Sequence, residues 1–398
     1  MTSSDFAGPT VNDRVRRRLV ASVLTSRAEP PARSDIPTPA LVLAVDLLDE
    51  NVERMMKLAR AGSVALRPHV KSHKSAFVAR RQLEAGAVGL ACAKLAEAEA
   101  VVAGLIDDGY HLRASILITS PLVGPVLAAR AAELARSCDL TVVVDHPDGV
   151  GEFAHALVRV GTRASALCDV DVGLERTGVV DVPHALLVVE RIADADGLDF
   201  GGVQGYAGHL QHIRGRAERR EANLLAMARL GEVVDALDAA GLAVSVVTGG
   251  GTGTTGLDLE AGRLNELQPG SYVFMDREYS DTLGEDPEGR FHQSLNIDTT
   301  VVSANHEGFV TVDAGIKSMA TDAGAPRVLG PDGGTYRFFG DEHGLVTCDP
   351  RHPLRRGQRL SLVPPHCDPT VDRYDHIWLV RGDDVIGVAE VTARGASQ

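Results

Sequence analysis

The sequence predicts a (β/α)₈ TIM-type barrel followed by a C-terminal all-β domain. First, between Pro39 and Gly256 short β-branched apolar runs alternate with Ala/Leu/Glu/Arg-rich segments of helical period. Second, the runs are apolar on both faces and joined by helices, which points to a parallel sheet, and eight such units in roughly 220 residues match a closed barrel. Third, past residue 290 helical stretches vanish and short strands between Gly/Pro/Asp turns take over. An open doubly wound sheet satisfies the same alternation and stays open as the alternative.

The predicted barrel strands are residues 40–45, 64–70, 88–93, 115–119, 140–145, 166–172, 200–206 and 243–248. Helices are expected over 49–61, 75–85, 95–104, 121–137, 183–195 and 216–240. Pro121 and Pro183 open their segments, where a missing N–H does no harm. Later strands are expected at 295–304, 308–313, 336–339, 359–363, 376–380 and 385–392. Before the barrel, Arg14 and Arg16-Arg17-Arg18 precede a short apolar stretch that lacks a cleavage site. An amphipathic helix and a Pro-rich linker are expected there. The division is thus 1–38 for helix and linker, 39–285 for the barrel and 286–398 for the β domain.

Forty Lys+Arg against 54 Asp+Glu give a net charge of −14 in 398 residues, which argues against nucleic acid or an acidic membrane as partner. No apolar run approaches the roughly 20 residues that span a bilayer. Five scattered cysteines, Cys92, Cys138, Cys168, Cys348 and Cys367, include no C-x-x-C pair, so a disulfide framework and a zinc knuckle are unsupported and a reducing cytoplasm is expected.

Chemistry concentrates in four places. In Leu66-Arg67-Pro68-His69-Val70-Lys71-Ser72-His73-Lys74 a period of two puts Arg67, His69 and Lys71 on one face, pointing into the barrel mouth. A lysine crowded by such neighbours is expected to have its ammonium form disfavoured, which suits an amine that attacks a carbonyl. The glycine-rich stretch from Thr248-Gly249 to Gly256 follows the predicted eighth strand and exposes N–H groups suited to a phosphate. Its accidental match to the dinucleotide pattern falls outside the first βα turn, where that fingerprint belongs. A turn at Gln268-Pro269-Gly270-Ser271 offers further N–H groups and a hydroxyl, while Tyr206 and Tyr279 lie beside these segments. In Pro364-Pro365-His366-Cys367-Asp368-Pro369, extended chain would project His366 and Asp368 to one side and Cys367 to the other. That pair suits Mn²⁺, Mg²⁺ or Ca²⁺ better than a closed zinc site.

Together these motifs, with Gly270-Ser271-Tyr272, Asp313-Ala314-Gly315 and His366-Cys367-Asp368-Pro369-Thr370, resemble the D-threonine aldolase and D-serine dehydratase group of fold-type III pyridoxal-phosphate enzymes. The resemblance runs from Pro37 to the C-terminus and implies an alanine racemase-like barrel carrying pyridoxal 5'-phosphate, a homodimer and a metal site in the β domain. It implies that Lys71 forms the Schiff base, that Thr248, Gly249, Gly270 and Ser271 bind phosphate, and that Tyr206 and Tyr279 line the cofactor. His366 and Asp368 would hold a divalent metal, Mn²⁺ foremost, with Mg²⁺, Ca²⁺ or Zn²⁺ as alternatives. Asp368 stands where the dehydratase branch resembles His-x-Cys, which points to the aldolase branch. The implied activity is retro-aldol cleavage of a D-β-hydroxy-α-amino acid to glycine and an aldehyde; dehydration with loss of ammonia is the nearest alternative, and a non-catalytic cofactor-binding protein a third. Hydroxide on the metal or a histidine such as His69 would be the base. Arg176 is a candidate partner for the pyridine nitrogen, and Lys317, Arg277 and His343 for a second substrate carboxylate.

Overall fold

The computed structural model describes residues 31–284, 286, 290–330, 334–347, 349 and 351–398, so the expected N-terminal helix and Cys348 lie outside the described residues. Strand β1 (Ala40–Ala44) enters helix α1 (Val45–Ala61) directly. The barrel then follows as β2 (Ala65–Leu66), α2 (Ala76–Glu84), β3 (Leu90–Cys92), α3 (Leu95–Asp107), β4 (Ser115–Ile118) and α4 (Pro125–Leu134). Next come β5 (Asp139–Val144), α5 (Pro147–Val160), β6 (Ala164–Asp169), α6 (Val182–Ala193), β7 (Leu198–Gly205), α7 (Arg216–Ala239), β8 (Val246–Gly249), α8 (Thr255–Ala261) and β9 (Glu266–Leu267). Eight parallel strands run in the order β2-β9-β8-β7-β6-β5-β4-β3. The ring closes through a parallel bridge between His69 and Ala91 and the 2.9 Å bond from Val88 N–H to the Leu66 carbonyl.

The number of barrel strands is as expected, but their membership differs. The run at 40–45 is β1, which pairs antiparallel with β10 (Leu295–His306) and belongs to the second sheet. A run as apolar as Ala40-Leu41-Val42-Leu43 is buried in either place, so its pattern does not name its sheet. The true eighth barrel strand, β9, has two residues and leaves no periodic signal. The glycine-rich loop therefore follows the seventh barrel strand and the Gln268–Ser271 turn the eighth. Those two positions together are the recurrent phosphate site of this fold.

Helix starts also shift. Pro125, rather than Pro121, opens α4, and Asp181 caps α6 by accepting the His184 N–H at 2.9 Å. Helix α5, which was not singled out, buries Val150, Phe153, Ala154 and Leu157, the spacing of one helix face.

Past α9 (Arg277–Leu283) the chain forms β11 (Phe309–Val312), β12 (Arg327–Leu329), β13 (Tyr336–Phe338), β14 (Gly344–Thr347) and β15 (Arg359–Val363). The short helix α10 (Cys367–Val371) and strands β16 (His376–Arg381) and β17 (Asp384–Glu390) complete it. The sheet path is β13-β14-β11-β10-β1-β16-β17, with β15 pairing β10 and β12. Strands β12 and β14, of three and four residues, were not among those expected.

One set of backbone bonds positions the site. Arg277 and Glu278 N–H donate to the Pro364 and Pro365 carbonyls at 3.0 and 3.2 Å, and Cys367 N–H donates to Asp276 Oδ2 at 2.8 Å. The loop after the last barrel strand thereby holds α10 of the β domain over the barrel mouth.

Candidate active site

After β2 the chain stays extended to His69 and then turns through a 3₁₀ helix, Val70–Ser72. His69 Nδ1 accepts the Lys71 N–H at 3.3 Å, so its Nε2 carries the proton and faces Thr119 Oγ1 at 3.2 Å. Burial, aided by the Lys71 charge, pulls the imidazole down to about 3, so it is neutral at pH 7. With both nitrogens engaged, His69 holds the turn that presents Lys71. It is poorly placed for the base role expected of it.

The expected crowding of Lys71 by cations is corrected by the structure. Arg67 turns into the barrel, where Nε meets Glu266 Oε1 at 2.8 Å and Nη1 meets Ser115 Oγ at 2.9 Å. Lys71 Nζ instead forms an ion pair with Asp368 Oδ2. Burial alone would lower the lysine pKa, but the carboxylate outweighs it and raises it, while Asp368 is held below the usual carboxylate range. A one-dimensional reading of neighbours missed a partner 297 residues away.

Lys71 and His69 line a cavity of about 660 Å³ with Tyr206, Arg176, Gln204 and Gln268. The Arg176 guanidinium lies 5.5 Å from the Tyr206 ring centroid. Beneath it runs a polar relay. Gln268 Nε2 donates to Thr248 Oγ1 at 2.9 Å and Gln204 Oε1 at 3.2 Å, and Gln204 Nε2 donates to Asp169 Oδ1 at 2.9 Å. Burial pushes Asp169 up to about 6. The Thr248 side chain thus meets Gln268 inside the barrel instead of the open mouth, and Gly249 ends the strand beside it. A larger open groove of about 790 Å³ between α1 and α2, with Arg60, Phe77 and Arg81, holds none of these residues.

Gly270 and Ser271 lie directly behind Lys71. A Cβ on Gly270 would stand 3.0 Å from the His69 carbonyl oxygen, a contact tight enough that the backbone would have to give, so glycine suits this approach. Among the described residues the Gly270 and Ser271 amides have no acceptor. The Ser271 hydroxyl turns to Asp368 Oδ1 at 3.3 Å. A lysine at the edge of a cavity with two free amides behind it fits pyridoxal phosphate.

On the β-domain side the alternation argument fails, because Cys367 and Asp368 begin helix α10 with His366 as its N-cap. The Cys367 thiol does not point away: Sγ lies 3.3 Å from Asp368 Oδ1, and burial pushes its pKa up. His366 and Asp368 nonetheless both reach the mouth. His366 Nδ1 lies 2.7 Å from Asp322 Oδ2, which leaves Nε2 for a metal. Among the described residues no three His, Cys, Asp or Glu side chains form a metal cage, so an ion here would draw on this one imidazole and one carboxylate. That donor set fits an open-sided divalent ion completed by water. If Asp322 orients His366, Asp322→Ala weakens Mn²⁺ binding by roughly 10–100-fold, measured by calorimetric titration of metal-stripped protein; unchanged affinity contradicts it.

Tyr279 is buried on α9, where Asp276 Oδ1 accepts its N–H at 2.8 Å, and its ring centroid lies 4.8 Å from that of His212. It therefore stands beside His212 at the mouth, close enough to Tyr206 and Asp368 to feel their charges. His212 was not anticipated. Its pKa is lowered by burial and by His366 and Lys71, against the opposing pull of Glu278, whose Oε1 lies 3.7 Å from Nδ1. Neither His212 nor Asp322 stands in a spacing that sequence alone could have flagged.

The profile of the family described as "Alanine racemase, N-terminal domain" matches residues 43–278, and that described as "Putative serine dehydratase domain" matches residues 294–380. The chain is 38% identical over 371 residues to D-threonine aldolase of Arthrobacter sp, covering 93% of this chain and 95% of that protein. The chain belongs to the D-threonine aldolase branch of the alanine racemase-like family. It is also 37% identical over 368 residues to 3-hydroxy-D-aspartate aldolase of Paracoccus denitrificans (strain Pd 1222), covering 91% and 93%. The crystal structure of D-threonine aldolase from Filomicrobium marinum matches with a TM-score of 0.88 at 34% identity, over 94% of this chain and 100% of that one. Membership of this fold-type III branch carries pyridoxal phosphate as its cofactor.

Proposed function

We propose that this protein is a pyridoxal-phosphate- and divalent-metal-dependent aldolase that cleaves the Cα–Cβ bond of D-threonine-like D-β-hydroxy-α-amino acids, giving glycine and an aldehyde. One observation carries the reading: Lys71 of the barrel and Asp368 of the β domain meet at the cavity mouth. The amine that bonds the cofactor and the carboxylate that holds the metal thus share one point.

When bound, pyridoxal phosphate supplies an electron sink next to Cα, and the metal a Lewis acid for the β-hydroxyl. The chain's own residues do the rest. Lys71 takes the cofactor aldehyde, and the Gly270 and Ser271 amides with the glycine-rich loop take the phosphate. Thr248 and Gly249 form the base of that cradle, held by Gln268. Tyr206 and Arg176 line the ring. His366 and Asp368 hold the metal, with Mn²⁺ first and Mg²⁺, Ca²⁺ or Zn²⁺ as alternatives. His212, whose protonated form burial disfavours, accepts the β-hydroxyl proton, and Tyr279 braces its ring. Loss of that base in His212→Ala is expected to lower kcat about 10²–10⁴-fold with pyridoxal phosphate binding retained; a kcat within threefold of wild type removes His212 from the role.

Asp368, in place of a cysteine two positions after the histidine, favours cleavage over dehydration. A non-catalytic cofactor carrier leaves the β domain without a task. A substrate with an uncharged β-substituent is favoured, because Lys317 pairs with Glu342 at 2.6 Å and Arg277 is bonded to the Ala323 carbonyl. The division of the chain near residue 285, a homodimeric unit and a cytoplasmic location complete the reading. Cys92, Cys138, Cys168 and Cys367 are free and buried, consistent with a reducing compartment. No helix among the described residues is long and apolar enough to cross a membrane. Metal removal tests the reading: chelator treatment is expected to abolish glycine formation from D-threonine and added Mn²⁺ to restore it. Full activity in chelator contradicts the metal assignment.

A further inference from the structure

Gln211 is a polar side chain only 1% exposed, and two of its three hydrogen bonds join its loop to the glycine-rich one. It lies between Tyr206 and His212 on the loop after β7. Its Oε1 accepts the Gly253 N–H at 2.9 Å, and its Nε2 donates to Thr254 Oγ1 at 3.1 Å and to the Ala207 carbonyl at 3.3 Å. Thr254 Oγ1 in turn accepts the Gly251 N–H at 3.3 Å and donates to Asp258 Oδ2 at 2.7 Å, which fills its one donor and two acceptor sites. A Cβ on Gly253 would stand 2.2 Å from the Gln211 carbonyl oxygen, so the two backbones touch. Thr252 continues the path, its hydroxyl accepting the Tyr272 N–H at 3.1 Å next to Ser271.

We infer that Gln211 is a positioning residue that couples the phosphate-binding glycine loop to the loop carrying Tyr206 and His212, so that a phosphate in the cradle sets the place of His212. The inference rests on the proposed phosphate site. A loop that binds an anion through amides must hold them in fixed directions; the Gly251 and Gly253 N–H groups are spent on Thr254 and Gln211, and those two bonds pin the loop so that its other amides keep their directions. His212 follows Gln211 in the chain, so movement of the Gln211 backbone moves the imidazole against Tyr279.

The test uses full-length protein stripped of cofactor, with wild type, Gln211→Met and Gln211→Glu compared. Methionine keeps the volume and removes the bonds; glutamate keeps the acceptor for Gly253 and sets oxygen against the Ala207 carbonyl. Pyridoxal phosphate affinity is expected to fall roughly tenfold or more in Gln211→Met, and less in Gln211→Glu. Inorganic phosphate added to the stripped wild type is expected to shift the NMR signals of the His212 ring, and to leave them in place in Gln211→Met. An equal shift in both proteins overturns the coupling, as does a lowered melting temperature with unchanged pyridoxal phosphate affinity. If wild type takes up no pyridoxal phosphate, the phosphate site itself is wrong and the coupling falls with it.

Discussion

Lys71→Ala is expected to yield a folded protein without the visible absorbance of lysine-bound cofactor, and with kcat on D-threonine lower by roughly 10⁴-fold or more. Of the two lysines that line the 660 Å³ cavity, Lys71 and Lys94, Lys71 is the one held between His69 and Asp368. Its removal leaves Asp368 without its ion pair. The melting temperature nonetheless moves little, because the Lys71 side chain is 40% exposed and water shares the stabilisation of the carboxylate. Retention of the visible band in Lys71→Ala contradicts the assignment. A lost band accompanied by a collapsed melting curve is resolved by Lys71→Arg, which keeps the charge beside Asp368 and still cannot form the cofactor bond.

Asp368→Ala carries the second large effect, because Asp368 serves three partners. It is the carboxylate of the proposed metal pair and the counter-ion of Lys71, and it accepts the Ser271 hydroxyl as well. Removing a metal that contributes several kcal/mol to the transition state corresponds to a fall in kcat of about 10³–10⁴-fold. Mn²⁺ titration of the variant is expected to show no saturable site, while pyridoxal phosphate is still taken up by Lys71. Wild-type Mn²⁺ affinity in Asp368→Ala contradicts the proposed ligand. Asp368→Asn, which keeps the shape and loses the charge, separates metal binding from packing of α10.

The parts of the site legible in the sequence were those written in local pattern. Alternating apolar runs announced the barrel, and the Arg67–Lys74 and His366–Asp368 motifs stood out because reactive side chains crowd into a few positions. What local pattern could not carry was partnership across the chain. The run at 40–45 is as apolar as a barrel strand and lies in the other sheet, while the two-residue β9 leaves no period at all. Strand alternation mis-aimed Cys367, where helix α10 begins, and it put Arg67 on the inward face without showing that Glu266 takes its charge. Asp322 lies 44 residues before His366, and Gln211 is 42 residues from the glycine it aims, distances that only the fold spans.

Product analysis after incubation with D-threonine, pyridoxal phosphate and Mn²⁺ tests the central claim most directly. Cleavage of Cα–Cβ predicts glycine and acetaldehyde in equal amounts, without release of ammonia. Formation of 2-oxobutyrate and ammonia, with no glycine, would contradict it.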